Sequence, residues 1–241
     1  MNRNKKKQQI TGKEEPAGIS IFAQLKDREL KRENILICEG KYNVERLINA
    51  DYEILSILCT PSMKEYFLSR SKNRFPILEK TKEEMCHILG FHFHRGVLAA
   101  ARRPRIPGIA AFLSGSPHSS ALALVPSLSE PENIGSIIRS ARAFAFHGLI
   151  TGPGCIDPFS RKAIRCSAGN IFSLPLAAYT DAHAAVTTLH DYGFTLIGTT
   201  PSPRVGSLDN FHFPDKCVFV IGHESGGLPP PWDSSCDVCL R

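Results

Sequence analysis

Apolar residues recur along this chain in two periods that alternate with each other. Short apolar runs bounded by glycine, proline or polar residues predict buried strands. Apolar residues repeated every three or four positions predict amphipathic helices between those runs. The predicted strands span residues 35–38, 54–59, 75–78, 97–101, 121–125, 148–150, 194–198 and 218–221, and the predicted helices span residues 41–50, 64–71, 82–89, 134–144 and 181–191. This alternation predicts an α/β fold.

Two segments rich in proline, arginine, serine and glycine, residues 102–108 and 114–120, interrupt the pattern. Such segments break helices and strands and are typical of linkers. We therefore predict a disordered basic arm over residues 1–18, a small α/β domain over residues 19–103, a linker over residues 104–120 and a second domain over residues 121–241. A length of 241 residues with 42% hydrophobic content is sufficient for two cores.

The net charge of +6 is distributed unevenly. Residues 1–105 hold 21 lysines and arginines against 13 acidic residues, whereas residues 106–241 hold 8 against 10. A local excess of cations is typical of a surface that binds a polyanion such as RNA, although a solvated basic surface has the same composition. No apolar run follows the basic start, and no stretch approaches the ~20 apolar residues of a membrane helix, so neither a signal peptide nor a membrane span is predicted.

Eight cysteines stand mostly in apolar surroundings, as expected for buried thiols of a reduced cytoplasm. Only Cys236 and Cys239 have the spacing of metal ligands. A zinc site needs a second pair or suitably placed histidines, and Val238 and Leu240 alternate with the cysteines as in a strand. We therefore favour a strand over a zinc or redox site, and predict no metal.

The most informative stretch is residues 129–148, directly after the predicted strand 121–125. Ser129, Glu130 and Glu132 place hydrogen-bond acceptors and negative charge at its start, where the free N–H groups of a helix N-terminus favour both. Its apolar stripe consists of Ile134, Ile137, Ile138, Ala141 and Phe144. Arg139 lies beside this stripe. The pattern alone leaves open whether Arg139 is a surface charge on a crossover helix or a functional residue.

The same stretch resembles the first signature motif of the SpoU (TrmH) family of RNA ribose 2′-O-methyltransferases, N-x-G-x-x-x-R-x-A-x-A-F-G. The matching positions are Asn133, Gly135, Arg139, Ala141, Ala143 and Phe144. Two further blocks match in the same order, so the resemblance extends from about Glu39 to the last residue. Three ordered blocks are a specific signal.

Residues 160–170 resemble the family's next conserved stretch, which precedes a strand expected here to hold Phe172, Leu174 and Pro175. The stretch carries Arg161, Lys162, Arg165 and Ser167. Three cations close to a helix start oppose the helix dipole, and a bound phosphate would offset that cost. We therefore predict that these residues contact RNA, with a merely solvated face as the alternative.

The N-terminal unit resembles the L30e-like substrate-binding domain of many SpoU enzymes, in Glu39-Gly40 and in residues 94–99. His94 and Arg95 are suited to donate to RNA phosphates, or to form a turn at a strand start. We predict Arg95 as an RNA contact.

Residues 222–228 match a further family motif, G-x-E-x-x-G-L. Gly222 allows close backbone approach, and Gly226-Gly227 permits a tight turn with positive φ. Ligands of open α/β sheets bind outside the carboxyl ends of strands, which also points to the turn after residue 198. A generic glycine-rich nucleotide loop is the alternative, but the dinucleotide and P-loop motifs are absent. The predicted cofactor-binding residues are Thr199, Thr200, Gly222, His223, Gly227 and Leu228.

The resemblance implies a SPOUT-type α/β domain with a trefoil knot, S-adenosylmethionine as cofactor and a homodimer with shared active sites. It assigns Arg139 to activation of the ribose 2′-hydroxyl and places Asn133 and Glu224 in the catalytic set. It implies a cytoplasmic enzyme that acts on RNA, with 23S rRNA preferred and tRNA as the alternative.

The chain departs from the family pattern in two places. Ala145 stands where the family has glycine, and a positive φ there would cost alanine about 1 kcal/mol. The family's third motif would begin after Arg241. We therefore expect the knot to be incomplete and activity to be doubtful in these 241 residues. A non-catalytic RNA-binding remnant is the alternative function.

Overall fold

The structure, a computed structural model, describes residues 18–23, 26–72, 74–115, 120–200, 205–207, 209, 211–223 and 226–241. The arm predicted over residues 1–18 lies outside these ranges except for Gly18. The strands are β1 (Ile35–Glu39), β2 (Ile54–Cys59), β3 (Ile77–Glu79), β4 (Val97–Arg102), β5 (Ser120–Leu128), β6 (Gly148–Cys155), β7 (Leu176–Ala178), β8 (Thr195–Thr199), β9 (Lys216–Ile221) and β10 (Val238–Leu240). The helices are α1 (Asp27–Arg32), α2 (Lys41–Asn49), α3 (Pro61–Ser71), α4 (Lys82–Leu89), α5 (Ile109–Leu113), α6 (Pro131–Ala143), α7 (Arg161–Cys166), α8 (Ala182–Asp191) and α9 (Trp232–Ser235).

The first four strands form the sheet of an N-terminal domain, in the spatial order β1-β4-β2-β3. β4 runs antiparallel to β1 and β2, whereas β2 and β3 are parallel. Every residue of β1 is buried because helices cover both faces. Apolar residues of α2 and α3 pack on one face, and those of α1 and α4 pack on the other. The predicted α/β character is confirmed here.

The second sheet has six strands in the order β10-β8-β9-β5-β6-β7, and every neighbouring pair is parallel. Helices α5, α8 and α9 cover one face, where Leu113, Leu189 and Trp232 join the core. Helices α6 and α7 cover β5 and β6 on the other face. That core is continuous with the α2 and α3 face of the N-terminal domain, so apolar contacts connect the two domains.

The structure corrects three local predictions. Strand β6 continues to Cys155, beyond the end predicted at residue 150; a Cβ at Gly152 would lie only 2.1 Å from the carbonyl oxygen of Pro126, so glycine there lets β5 and β6 meet. Phe172 ends a 3-10 helix, and the strand begins only at Leu176. Phe144 is 78% exposed because α6 ends before it and the backbone reverses at Ala145, with φ of 57°.

The segment predicted as a linker contains α5, which packs on the second sheet. Ile109 and Leu113 are buried in its core, and Gly108 forms a parallel bridge with Ala178. Helix α5 therefore contributes to the cover of the second sheet.

The strand predicted through the Cys-x-x-Cys pair contains only its second cysteine. Cys239 is in β10, Cys236 follows α9, and all eight cysteines are free thiols. Among the described residues, no group of three histidine, cysteine, aspartate or glutamate side chains is placed to hold a metal. In the same residues, no helix has the length and hydropathy needed to cross a membrane.

Candidate functional site

Helix α6 begins at the carboxyl edge of the second sheet, three residues after the end of β5. Pro131 occupies the first helical turn, and the side chain of the N-cap residue Glu130 accepts no capping hydrogen bond. Glu132 forms an ion pair with Lys162 of α7, and the hydrogen bond from Lys162 lowers the pKa of the Glu132 carboxyl. Asn133 follows, half-buried, in this first turn.

Arg139 lies nearly two turns further along α6 and is exposed to solvent. It forms no ion pair with any residue that the structure describes. Its cation is therefore available to a ligand rather than neutralised by a carboxylate.

An apolar cavity of about 270 Å³ opens between α6, the helix that carries Arg139, and the ends of β8 and β9. Ser136 and Ser140 of α6 and Thr199 of β8 supply its polar atoms. The apolar lining consists of Ala123, Ile137, Ala141, Phe144, Phe146, Phe219 and Ile221. The cavity connects the helix of the first motif with the strand ends predicted to bind a cofactor.

The ends of β8, β9 and β10 bring together residues that are far apart in the sequence. Thr199 lies opposite Ile221, and its Oγ1 donates to the carbonyl oxygen of Val220 at 3.2 Å. The backbone N–H of Thr200 donates to the carbonyl oxygen of Leu240 at 3.0 Å. Both threonines are thus fixed at the edge where open parallel sheets bind ligands.

The glycine motif forms a tight turn after β9. His223 and Gly227 exchange two backbone hydrogen bonds of 2.8 and 2.9 Å, and Gly227 has a φ of 63°. A Cβ at Gly222 would lie 2.5 Å from the backbone of Gly227, so this position requires glycine. Leu228 packs over Gly198 of β8. The six predicted cofactor-binding residues therefore lie together, while Glu224 lies outside the described residues.

The cations of α7 are paired with carboxylates. Arg165 Nη1 lies 2.8 Å from Glu39 Oε1, and Arg161 Nη2 lies 3.7 Å from Glu39 Oε2. The backbone N–H of Arg161 also donates to Asp27 Oδ1 at 3.2 Å. Protein carboxylates therefore offset the cations at this helix start, the role that the sequence assigned to a phosphate.

Two further residues predicted to contact RNA differ in accessibility. Ser167 is fully buried, and its hydroxyl donates to the carbonyl oxygen of Ile164 at 2.9 Å. Arg95 is exposed beside Gly40, where a Cβ would lie 3.6 Å from its Cδ and Nη1. RNA contact by Arg95, Arg161, Lys162, Arg165 and Ser167 stays a prediction.

A charged contact between the domains was not predicted from the sequence. Arg103 Nη2 lies 2.6 Å from Asp157 Oδ2, and both side chains are largely buried. Arg103 Nε also donates to the carbonyl oxygen of Ile35 at 2.7 Å. The pair borders a cleft of about 440 Å³ that reaches the ends of β6 and β7. Arg103 stood in a segment with linker composition, so its pattern gave no signal of this role.

Comparison with known proteins places these features in a family. Residues 121–241 match the SpoU rRNA Methylase family. An uncharacterized tRNA/rRNA methyltransferase of Mycobacterium bovis is 32% identical over 213 residues, which cover 86% of this chain and 72% of that protein. The 23S rRNA (uridine(2479)-2′-O)-methyltransferase of Streptomyces viridochromogenes is 35% identical over 116 residues, which cover 44% of this chain and 39% of that protein.

The fold also matches solved structures along most of the chain. The crystal structure of an AdoMet-bound rRNA methyltransferase from Sinorhizobium meliloti superposes with a TM-score of 0.78 at 19% identity, covering 96% of this chain and 87% of that one. At this identity the likeness establishes a shared fold. The parallel sheet, its glycine turn and the preceding domain define an α/β protein of the SPOUT methyltransferase class.

The chain belongs to the SpoU rRNA Methylase family of RNA methyltransferases. The resemblance of its three motifs to this family is confirmed. The domain boundaries, the knot and the roles of individual site residues stay predictions.

Proposed function

We propose that this protein methylates a ribose 2′-oxygen of ribosomal RNA, with 23S rRNA as the preferred substrate and S-adenosylmethionine as the methyl donor. Family membership supports RNA methylation. The 2′-O position and the choice of 23S rRNA are supported by the activity for which the Streptomyces relative is named, and that relative aligns with 44% of this chain.

The exposed, unpaired guanidinium of Arg139 carries this proposal. Within the described residues it lies on the helix that borders the cavity of about 270 Å³, next to the strand ends where the cofactor-binding motif folds. A ribose hydroxyl is a weak nucleophile, and a cation within hydrogen-bonding reach stabilises the charge that develops on its oxygen. Arg139 would supply that cation, and Asn133 would orient the ribose by hydrogen bonding.

The turn after β9 fits S-adenosylmethionine. Cβ atoms at Gly226 and Gly227 would meet nothing within 4 Å, so this backbone leaves room for a flat ring to lie against it. Thr199, Thr200, His223 and Leu228 would surround the ligand with backbone groups and one apolar side chain. S-adenosylmethionine, when bound, supplies an electrophilic methyl group on its sulfonium sulfur. The structural relative from Sinorhizobium meliloti was crystallised with AdoMet (S-adenosylmethionine) bound.

The chain's contribution to the reaction is then positioning and charge stabilisation. Holding the 2′-oxygen within hydrogen-bonding reach of Arg139 would stabilise the charge that develops on that oxygen. Glu224 is proposed as a catalytic residue on its motif position alone. In the sequence it directly follows His223.

Replacing Arg139 by alanine tests the proposal. The substrates are 23S rRNA and bulk tRNA, with tritiated methyl donor, and 2′-O-methylation is scored by resistance of the labelled linkage to alkaline hydrolysis. Arg139→Ala should lower turnover by about 100- to 1,000-fold, the usual effect of removing one group that stabilises transition-state charge. Affinity for S-adenosylmethionine, measured by calorimetry, should stay unchanged.

Arg142→Ala is the matched control, because Arg142 is exposed on the same helix one turn later. Equal turnover in the Arg139→Ala and wild-type proteins would overturn the role of Arg139. Preferred labelling of tRNA over 23S rRNA would make tRNA the proposed substrate. If the protein binds RNA but transfers no methyl group and gives no heat of binding with S-adenosylmethionine in calorimetry, the alternative function of a non-catalytic RNA-binding remnant is favoured.

We also propose that the protein forms a homodimer and that it acts in the cytoplasm. Exposed Phe144 lines the cavity, and half-exposed Phe213 packs on its lining residue Phe219 with ring centroids 5.4 Å apart. Exposed apolar surface of this kind is typical of protein interfaces.

A further inference from the structure

Glu39 is a buried carboxylate between the two domains. It ends β1 and is 4% exposed, and it is the one acidic residue classed as buried within the described part of the chain. The next residue, Gly40, has a φ of 89° and turns the chain into α2. The carboxylate is therefore held on rigid backbone rather than on a flexible surface loop.

The partners of Glu39 come from the other domain. Arg165 and Arg161 of α7 approach its two oxygens, at 2.8 and 3.7 Å. The guanidinium of Arg161 also lies over the ring of Phe91, with its Cζ 5.3 Å from the ring centroid. A buried charge is tolerated only when it is paired, so separation of the domains would leave Glu39 without compensation.

The surroundings of this pair carry excess positive charge. Glu39 faces Arg161 and Arg165, and Asp27 contacts the backbone N–H of Arg161. Arg95 lies beside Gly40, so three cations meet two carboxylates. The Nε of Arg161 is buried and lacks a hydrogen-bond partner. The cluster therefore offers an anion more donors than Glu39 alone satisfies.

We propose that Glu39 is a positioning residue that fixes the N-terminal domain against α7 and holds Arg161 and Arg165 until RNA phosphates compete for them. The second part rests on the proposed function as an RNA-binding enzyme. In this mechanism the same carboxylate sets the orientation of the two domains and limits the positive charge that α7 presents to RNA. Bound RNA would take over the two arginines and loosen the contact between the domains.

The positioning role is tested without RNA, by amide hydrogen exchange on the whole protein. Glu39→Gln keeps the shape of the side chain and removes its charge. Exchange in α7 and in the first turn of α2 should become at least about tenfold faster, because the contact that protects both segments is weakened. Glu79→Gln is the matched control, since Glu79 pairs with Lys64 at 2.8 Å within the N-terminal domain.

Unchanged exchange in α7 and α2 in Glu39→Gln would overturn the positioning role. If the Glu39→Gln protein fails to fold, the double variant Arg161→Gln/Arg165→Gln removes the same contact from the other side. It should accelerate exchange in the first turn of α2, and full protection there would contradict the proposal.

The RNA part is tested by binding to a single-stranded RNA oligonucleotide at several salt concentrations. RNA takes both arginines in the wild-type protein and in Glu39→Gln, so the slope of log affinity against log salt should be the same in both. Glu39→Gln should bind at least about tenfold more tightly, because no carboxylate competes for the arginines. Adding Arg161→Gln and Arg165→Gln to that variant should abolish the gain in affinity and flatten the slope by about 1.4 units, and Glu79→Gln should leave both unchanged. An unchanged affinity in Glu39→Gln would overturn the competition with RNA. If the wild-type protein binds no RNA, the proposed function fails, while hydrogen exchange still decides the positioning role.

Discussion

Gly135 is the point of closest approach between α6 and α7, and its replacement by alanine tests how tightly the site is packed. A Cβ at Gly135 would lie 2.6 Å from the Cβ of Cys166, 2.9 Å from the carbonyl oxygen of Ala163 and 3.0 Å from the backbone nitrogen of Ser167. Two of these three atoms belong to the backbone of α7 and its C-terminus. They cannot move aside by rotation of a side chain, so α6 and α7 must separate.

Two effects of opposite sign determine how much Gly135→Ala changes the free energy of unfolding. Alanine stabilises a helix interior relative to glycine by about 0.8 to 1.0 kcal/mol. Forcing an extra methyl group into a packed core costs about 1 to 3 kcal/mol, and rigid neighbours place the cost towards the upper end. We therefore expect Gly135→Ala to lower the free energy of unfolding by about 1 to 2 kcal/mol. Turnover should fall as well, because α6 carries Arg139.

Urea unfolding followed by circular dichroism measures this change. Gly115→Ala is the control, because a Cβ there would meet nothing within 4 Å and the expected change is within about 0.5 kcal/mol. Equal or greater stability of Gly135→Ala would refute the close packing of α6 on α7. Lower stability with full activity would refute the dependence of Arg139 on that packing.

Three other predictions concern stability and assembly. Ala145→Gly should stabilise the protein by about 0.5 kcal/mol in urea unfolding, because Ala145 has a φ of 57°, whereas Ala143→Gly at the end of α6 should destabilise it. Phe144→Ser should weaken the proposed dimer at least about tenfold in light scattering and leave monomer stability nearly unchanged, since this ring is 78% exposed; an unaltered dimer would move the interface elsewhere. Burial raises the pKa of the Cys59 thiol from 9.0 to about 11, so the folded state keeps a proton that the unfolded state loses. Stability should therefore fall by up to about 1.4 kcal/mol per pH unit between pH 9 and 11, and Cys59→Ala should show a shallower decline.

The sequence predicts most elements correctly because apolar periodicity reports burial directly. Strands β2 and β4 and helices α4 and α8 lie within a residue or two of their predicted bounds. The positive φ at Ala145 follows the expectation raised by the missing glycine. The convergence of Thr199 and Gly222 also follows, since carboxyl ends of parallel strands share one edge.

Contacts between distant segments are what the sequence leaves open. Glu39 sits in an apolar run that predicts a strand, but nothing in the run indicates that Arg161 and Arg165 approach it from more than 120 residues away. Arg103 likewise stands in a segment of linker composition, and no pattern in the sequence marks Asp157 as its partner. Ion pairs between domains depend on how two cores pack together, and local patterns carry no information on that packing.

The place of β5 at the centre of the second sheet also determines how this protein must fold. One side of β5 pairs with β6, which follows closely in the chain, but the other pairs with β9, where Ser120 lies opposite Lys216. Non-local parallel pairing of this kind folds slowly because a long loop must close first. During synthesis at 5 to 20 residues per second, the chain needs roughly 5 to 20 s to extend from β5 to β9. During that interval the edge of β5 that will pair with β9 has no partner strand. Nascent chains of this protein would therefore be exposed to aggregation, or to binding by chaperones, at this edge.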